Sequence, residues 1–485
     1  MSGNTTHTRN TIPIHHIATV TRSVKGGFRK FKTAVLIVAY LVYFGLPWLP
    51  WSRENAPSQA ILFDLSQRKF YLFNLTVFPQ DIFWLAVLMV LAAAILFFAT
   101  GLIGRAWCGY FCFQTLWTDA FIWIEHFIQG ERNARLRLKK QIWNIEKIIK
   151  IGASHGLMLV LSGMTALTFV SYFIYAPDLT HHFFTGTAPS AAYTTFLLLT
   201  LTTYIAGGLL RENICTTFCP YARFQGVMYE QDTLAVAYDT KRGEGLKGRI
   251  LPIAELKAKP ARNEAGYGDC IDCGYCVQVC PTGIDIRNGL QYQCISCGLC
   301  IDACNTVMDS MNYPRGLIRY DSERNLAAVT PTQPKVVWKN LKTIGYGIAI
   351  LVATIILTLN VWLRDMTEVS VEQVRQPLYT VLSDGSYRNR YQLHIVNKTE
   401  HKITYRVNVR GVPQSALDMG SIPAIEIAGG RDLWVNLKLN LTAEQAAKTK
   451  NFTFVITPNT KLGLPKLGAI KINANFNSAN IDTTL

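Results

Sequence analysis

Cys270-Ile-Asp-Cys273-Gly-Tyr-Cys276-Val-Gln-Val-Cys280-Pro281, followed by Cys294-Ile-Ser-Cys297-Gly-Leu-Cys300-Ile-Asp-Ala-Cys304, decides the reading of this chain. Both runs space their cysteines C-x2-C-x2-C-x3-C. Three cysteines two residues apart wrap a tight loop around one face of an iron–sulfur cube, so that each sulfur reaches a different iron. The fourth points away and ligates the other cube. The spacing therefore predicts two [4Fe–4S] clusters, one on Cys270, Cys273, Cys276 and Cys304, the other on Cys294, Cys297, Cys300 and Cys280. Gly274 and Gly298 leave the loops room beside the clusters. Zinc takes closed sets of four ligands and has no use for this interlocked pattern of eight.

All 12 cysteines fall in four tight groups between Cys108 and Cys304. A disulfide framework would be scattered differently, so the thiols are expected to face a reducing compartment. The other two groups are Cys108-x3-Cys112 and Cys215-x3-Cys219, each just past an apolar run and in similar surroundings: Arg105-Ala-Trp-Cys108-Gly-Tyr-Phe-Cys112 and Arg211-Glu-Asn-Ile-Cys215-Thr-Thr-Phe-Cys219. The pattern reads as an internal repeat. Thiols at i and i+4 share a helical face. Two such pairs brought together offer four soft thiolates, suited to Cu(I), zinc or a further iron–sulfur cluster. The plain alternative is buried, unligated cysteine. The duplication favours ligation, with copper the first candidate at Cys108, Cys112, Cys215 and Cys219.

Hydrophobic residues make up 49% of the 485, concentrated in long uncharged runs. Thr33–Trp51, Ile82–Gly104, Ile151–Ala176, Pro189–Leu210 and Thr343–Leu363 each approach or exceed the roughly 20 residues that cross a bilayer. The first has no small-residue cleavage site and is expected to stay in the chain. The net charge of +16 is carried by Lys and Arg flanking these runs, which points to lipid and not to nucleic acid. Residues 105–150 and 211–342 are rich in Lys and Arg, and 177–188 has neither. The positive-inside bias then places the N-terminus and every cysteine in the cytoplasm, and residues 52–81 and the tail in the periplasm.

The expected fold is a multi-domain membrane protein. A cytoplasmic arm (1–32) leads into a four-span α-helical membrane domain with the paired cysteines (33–230). A cytoplasmic two-cluster ferredoxin-like domain (231–338), a fifth transmembrane helix (339–364) and a periplasmic all-β domain (365–485) follow. The tail alternates over Tyr391–Val396, Ile403–Val409, Leu433–Leu441, Phe452–Thr457 and Ile470–Phe476, with turn signals at Asp384-Gly385 and Gly429-Gly430, as a β-sandwich does. Residues 107–128 hold Asp119, Glu125 and His126 and read as a helix on the membrane surface or partly re-entrant. Asp119 and Glu125 are expected to face water. His155, inside a span, is expected to be a single hydrogen-bonded histidine and not, with His126, a haem ligand. Lys241–Arg262 reads as a solvated or lipid-facing linker rather than a docking site for an acidic donor. No G-x-G-x-x-G opens a helix, so no nicotinamide site is visible.

These motifs resemble the cytochrome c oxidase accessory protein family called CcoG, FixG or RdxA. The resemblance is carried by Gln80-Asp81, by Arg105 to Cys112, by Arg211 to Cys215, by Cys219-Pro-Tyr-Ala-Arg-Phe-Gln225, and by Cys270–Cys304 with Gly283-Ile-Asp-Ile between the runs. The β-rich tail matches as well, and in that family it is immunoglobulin-like. Two departures stand out: Phe113 where the family often has proline after Cys112, and Asn305 where many ferredoxins repeat the proline of Pro281. The resemblance implies a bacterial inner-membrane protein serving a cbb-type cytochrome c oxidase or its copper-delivery factors. It would draw on a cytoplasmic electron donor and reduce Cu(II) to Cu(I) at Cys108, Cys112, Cys215 and Cys219. Two other functions remain in view: a quinol dehydrogenase-type polyferredoxin feeding a periplasmic reductase, and a non-catalytic assembly scaffold or redox sensor.

Overall fold

The computed structural model describes residues 20–53, 57–252, 259–328, 332–338, 340–399, 401–420, 424–459 and 468–478. Most of the expected N-terminal arm lies outside them. Five helices are long and apolar enough to cross a bilayer: Gly27–Trp48, Ile82–Ile103, Ile145–Ser171, Ser190–Leu210 and Leu341–Trp362. The second and fifth are apolar nearly all round and leave Leu88, Met89, Ile348 and Leu351 outward, as helices do when lipid is the solvent. The first and third spans begin earlier than the uncharged runs, at Gly27 and Ile145. Backbone i→i−4 bonds, not hydropathy, set a helix end. Charged side chains at such an end need only a polar partner; Lys147 Nζ, for example, donates to the carbonyls of Lys139 (3.1 Å) and Gln141 (2.6 Å).

The chain divides into two compact units. One comprises Met1–Leu46, Ala86–Ser171 and Thr180–Thr354 and contains every cysteine. Within it the 107–128 segment forms two helices, Ala106–Tyr110 and Phe113–Gln129, neither of them among the five candidate spans. The longer one buries Leu116, Trp117, Ala120, Phe121 and Ile124 at three- and four-residue spacing and leaves Trp123 and Phe127 exposed. It packs on the first and third spans, with Trp117 Nε1 donating to Thr165 Oγ1 at 2.9 Å.

Asp119 and Glu125 do not face water. Asp119 is 5% exposed and pairs with Arg29 (2.9 Å) and Lys32 (3.4 Å). Glu125 pairs with Arg135 and Arg211. The basic residues that a linear reading assigns to separate flanks become the counter-ions of these two carboxylates. The 241–262 stretch is likewise not a plain solvated linker. Arg242 pairs with Asp269 at 2.7 Å, and Arg262 is fully buried against the carbonyls of Gly268, Ile250 and Cys270. Strands Ala235–Tyr238 and Ile318–Asp321 pair antiparallel on either side of the cysteine runs in sequence and build their core with Ile271, Ile286, Ile301 and Met308.

The second unit comprises Pro47–Leu85, Tyr172–Leu179 and Ile355–Leu485. Its tail is a two-sheet antiparallel sandwich. One sheet runs Leu417–Asp418, Asp432–Leu441, Tyr387–Asn397, Thr367–Gln373, with Thr380–Val381 also on Tyr387–Asn397; the other runs Ile425–Ile427, Ile403–Arg410, Asn451–Asn459, Ile470–Asn475. Alternate residues turn inward, such as Ile403, Tyr405 and Val407 against Leu437, Leu439 and Phe454. This apolar layer does the work that an inter-sheet disulfide does elsewhere. The five strands read from the sequence are present. Thr367–Gln373 was not legible: Val369 and Val371 alternate with Glu368, Ser370 and Glu372, but two apolar residues make too short a pattern. A three-stranded sheet, Ile61–Asp64, Lys69–Leu72 and Leu75–Val77, also escaped the reading. Within this unit Lys69 Nζ donates to Gly430 O (2.6 Å), Phe63 N to Tyr172 O (2.7 Å), and Ala176 N to Gln59 Oε1 (3.0 Å). Asp81 holds Arg364 (2.9 Å) and Lys398 (3.0 Å).

Candidate functional site

Two cavities lie side by side in the first unit. One is lined by Cys270, Cys273, Cys276 and Cys304; the other by Cys280, Cys294, Cys297 and Cys300, and Cys276 lines it as well. With the shared Cys276 counted at the first, each takes three thiols from one run and the fourth from the other. The remaining walls are mostly apolar, with Leu317 and Ile318 at the first and Val236, Ile295 and Leu299 at the second. Among the described residues no three His, Cys, Asp or Glu side chains close on one point as a single ion requires. Thiols ranged around a cavity suit a multi-iron cube.

The backbone repeats between the two loops. Asp272 (φ 50°) and Ser296 (φ 52°) are left-handed, as are Gly274 (φ 62°) and Gly298 (φ 70°) two positions on. Such turns direct amides into a concavity that favours an anion, and Ser296 N reaches Cys294 Sγ at 3.5 Å. Thiols, inward amides and apolar walls together fit an anionic iron–sulfur group. Burial pushes the Cys276, Cys294 and Cys304 thiols up to about 12, so as free thiols they would hold their protons at neutral pH. Iron must displace those protons. Cys273 alone among the eight is exposed, so the first cavity is the one nearer solvent. Asn305 replaces a helix-breaking proline, and the Leu299–Ser310 helix accordingly runs on through Cys304.

The paired cysteines do not lie on one helical face. Cys108 sits in the Ala106–Tyr110 helix, whereas Cys112 is extended (φ −65°, ψ 131°) and precedes the Phe113–Gln129 helix. Cys215 lies in the π-helical stretch Ile214–Phe218, and Cys219 is extended (φ −72°, ψ 112°) before the Pro220–Met228 helix. Each second cysteine thus occupies a helix N-cap. Phe113 and Pro220 both sit at the first helical position, and Cys112 and Cys219 before them share an extended backbone. Burial pushes Cys108 up to about 11, with the Arg105 guanidinium opposing and Cys112 and Cys219 adding to it. Burial also pushes Cys215 up to about 12, reinforced by Cys112 and Cys108. The four thiols therefore act on one another, although among the described residues no three of them close on one point as a single ion requires.

Two features position the second pair. The backbone is π-helical over Tyr204–Leu210, and Arg211 follows at φ 41°. π-Turns cluster at functional sites. Arg211 is held there by Glu125 and by its own Nε donating to Gly208 O at 2.6 Å. His155 hydrogen-bonds Tyr204 at 2.9 Å, and His126 contacts the Thr21 carbonyl at 3.2 Å.

The two thiol groups meet at Gly109. A Cβ there would lie 2.7 Å from Ile295 O and 3.0 Å from Cys297 Cα, so only glycine allows this approach. Tyr110 Oη donates to Cys297 O at 2.8 Å. Cys108, Cys297 and Cys300 belong to one packed core with Val279, Ile295 and Leu299. Sequence reasoning gave Arg105 and Gln225 no role of their own. Arg105 is 2% exposed and Gln225 0%, and both stand between the groups. The available signal was an arginine closing an apolar run with no acidic residue nearby in the chain.

Family models match three parts of the chain. A 4Fe–4S dicluster domain covers residues 210–323, a 4Fe–4S binding domain 85–132, and an IG-like fold at the C-terminal of FixG 357–478. The nitrogen fixation protein FixG of Rhizobium meliloti is 38% identical, over 82% of this chain and 80% of its own length. Protein RdxB of Cereibacter sphaeroides is 40% identical (83% and 84%), and protein RdxA of the same organism 39% (88% and 89%).

Proposed function

Because the chain belongs to the FixG/RdxA family, an iron–sulfur electron-transfer group with membrane-spanning helices, we propose that it passes single electrons to Cu(II) during assembly of a cbb-type cytochrome c oxidase. The carrying observation is the packing of Cys108 and Gly109 against Cys297. Cys270, Cys273, Cys276 and Cys304 would hold one [4Fe–4S] group, and Cys280, Cys294, Cys297 and Cys300 the other. When bound, these groups supply one-electron redox chemistry, at about −400 mV in low-potential ferredoxins. A cytoplasmic donor would approach at Cys273, which is exposed. Gly109 and Tyr110 bring the paired thiols against the second cavity. Cys108, Cys112, Cys215 and Cys219 would receive Cu(II), which takes one electron to become Cu(I); soft thiolates then favour the reduced ion.

The chain would lie in the bacterial inner membrane with both cavities cytoplasmic and the sandwich periplasmic. The Lys and Arg asymmetry supports this. So does the composition of the second unit, which gathers much of the sequence assigned to the outer side by charge.

Anaerobically purified protein, reduced and freed of excess reductant, should be reoxidised by Cu(II) with one Cu(I) formed per electron. A Cys108→Ser, Cys215→Ser variant should retain its iron and sulfide and lose this turnover. Equal turnover in both proteins removes the paired thiols from the function.

A second reading makes a membrane quinol the electron source. It draws on a cavity of about 570 Å³ lined by Thr21, Asp119, Trp123, His126, Val279 and Pro281. Among the described residues Thr21 Oγ1 and Asp119 Oδ2 are buried without a hydrogen-bond partner, and Val279 and Pro281 flank Cys280. Quinol-dependent reduction of the protein in liposomes, lost on Asp119→Asn, would support that source; reduction by quinol at the same rate in both proteins would exclude this cavity.

A further inference from the structure

We propose that Arg105 is the counter-ion shared by the second cluster cavity and the paired-thiol site, a buried cation that stabilises an added electron beside the thiols that receive it. The argument starts from the guanidinium's partners. Nη1 donates to Tyr292 O, two residues before Cys294. Nε donates to Gln225 Oε1 at 3.0 Å, and the same oxygen accepts from Cys108 Sγ at 3.2 Å. Gln225 is locked by its own Nε2 donating to Thr100 Oγ1 at 3.2 Å. One side of Arg105 thus faces the loop of the second cavity, and the other faces a paired thiol.

The guanidinium is 2% exposed, and among the described residues no carboxylate pairs with it. The other deeply buried cations of the paired-thiol region do have acids: Lys32 has Asp119, and Arg135 has Glu125. A buried charge without an anion is strongly disfavoured. The nearest groups able to carry negative charge are the sulfurs on either side, and Cys108 Sγ shares Gln225 Oε1 with the guanidinium. A fixed cation between the two sulfur groups makes the second cavity a better seat for an electron. Arg262 makes a parallel contact at the first cavity through Cys270 O, yet no bond of its reaches a paired thiol. The bridging role belongs to Arg105.

This inference rests on the iron–sulfur reading and is independent of copper. The test is redox potentiometry, followed by electron paramagnetic resonance, on the full-length anaerobic protein, with the second cluster's signal identified as the one lost in Cys297→Ser. In Arg105→Gln, electron occupancy of the second cluster should fall at least tenfold at a fixed potential, which is about 59 mV for one electron. The first cluster should be unmoved. Arg105→Lys, which keeps the charge, should stay near the parent protein. Gln225→Glu, which sets a carboxylate on the guanidinium without removing it, should shift the second cluster as Arg105→Gln does. An unshifted second midpoint in Arg105→Gln overturns the proposal, as does Arg105→Lys falling as far as Arg105→Gln. If Arg105→Gln loses its clusters, Gln225→Glu carries the test, and an unshifted midpoint there overturns it equally. Absence of iron and sulfide from the parent protein would instead refute the iron–sulfur reading.

Discussion

Gly274 and Gly298 occupy the same place in two near-identical loops, Cys273-Gly274 and Cys297-Gly298, and share a left-handed backbone at φ 62° and φ 70°. Replacing either by alanine should therefore incur the same local penalty, about 1–2 kcal/mol for a Cβ in that conformation. Their surroundings differ. A Cβ at Gly274 meets nothing closer than Gln278 Nε2 at 4.0 Å, whereas one at Gly298 lies 2.7 Å from the Phe28 ring. Ordinary contact begins at 3.4 Å, and Phe28 is itself packed on Tyr320 with ring centroids 5.7 Å apart. Forcing that ring aside adds an overpacking cost of about 1–3 kcal/mol. Gly298→Ala should thus be weaker than Gly274→Ala by about 1–3 kcal/mol, roughly 5- to 150-fold in an equilibrium. The assay is anaerobic loss of the visible iron–sulfur absorbance in a denaturant series, with iron and sulfide counted at each step. Equal lability of the two variants, or a more labile Gly274→Ala, would refute the reasoning.

Further outcomes follow from the same geometry. Cys280→Ser should damage the cluster formed by the downstream run and spare the other, although Cys280 belongs to the upstream run; a resonance signal lost from the wrong cluster would contradict the crossed arrangement of the cavities. Burial alone would raise the Glu125 carboxyl, but Arg211 and Arg135 outweigh it and hold the group below its usual value. Its stabilisation is then complete above the unfolded value of about 4.5 and is lost as pH falls through the lower folded one. Glu125→Gln, leaving Arg135 and Arg211 without their anion, should cost about 3–5 kcal/mol near neutrality. The melting-temperature gap to the parent protein should close as pH drops below about 4.5, and a gap independent of pH would count against the ion cluster. Leu437→Ala in the sandwich core should cost about 2–5 kcal/mol, read as earlier proteolysis of the tail in urea; no change would mean that Leu437 is not buried as described.

Much of this was legible along the chain because the governing forces are local. Three cysteines two residues apart can only curl around something small, and uninterrupted runs such as Ile82–Ile103 have no stable place in water. Alternation marked Ile403–Arg410 and Asp432–Leu441 for the same reason: a pleat turns successive side chains to opposite faces. The errors fall where a residue's partner is distant in sequence. Asp119 and Glu125 looked solvated because Arg29, Lys32, Arg135 and Arg211 lie on other elements. The paired cysteines looked helical because nothing nearby announces the N-cap at Cys112 or the π-turn before Arg211, although Pro220 does mark a helix start after Cys219.

By itself, then, the sequence determined what the protein can hold: eight thiols at cluster spacing, five apolar helices and a patterned β tail. Only the tertiary structure decided how these parts work together. It set Gly109 against Cys297, brought the two cysteine pairs to act on one another, and lodged Arg105 between the second cavity and Cys108. The physical reason is range. Spacing and periodicity control geometry over a turn or two of chain, whereas a buried charge or a close backbone approach is defined by atoms that folding brings from more than a hundred residues away.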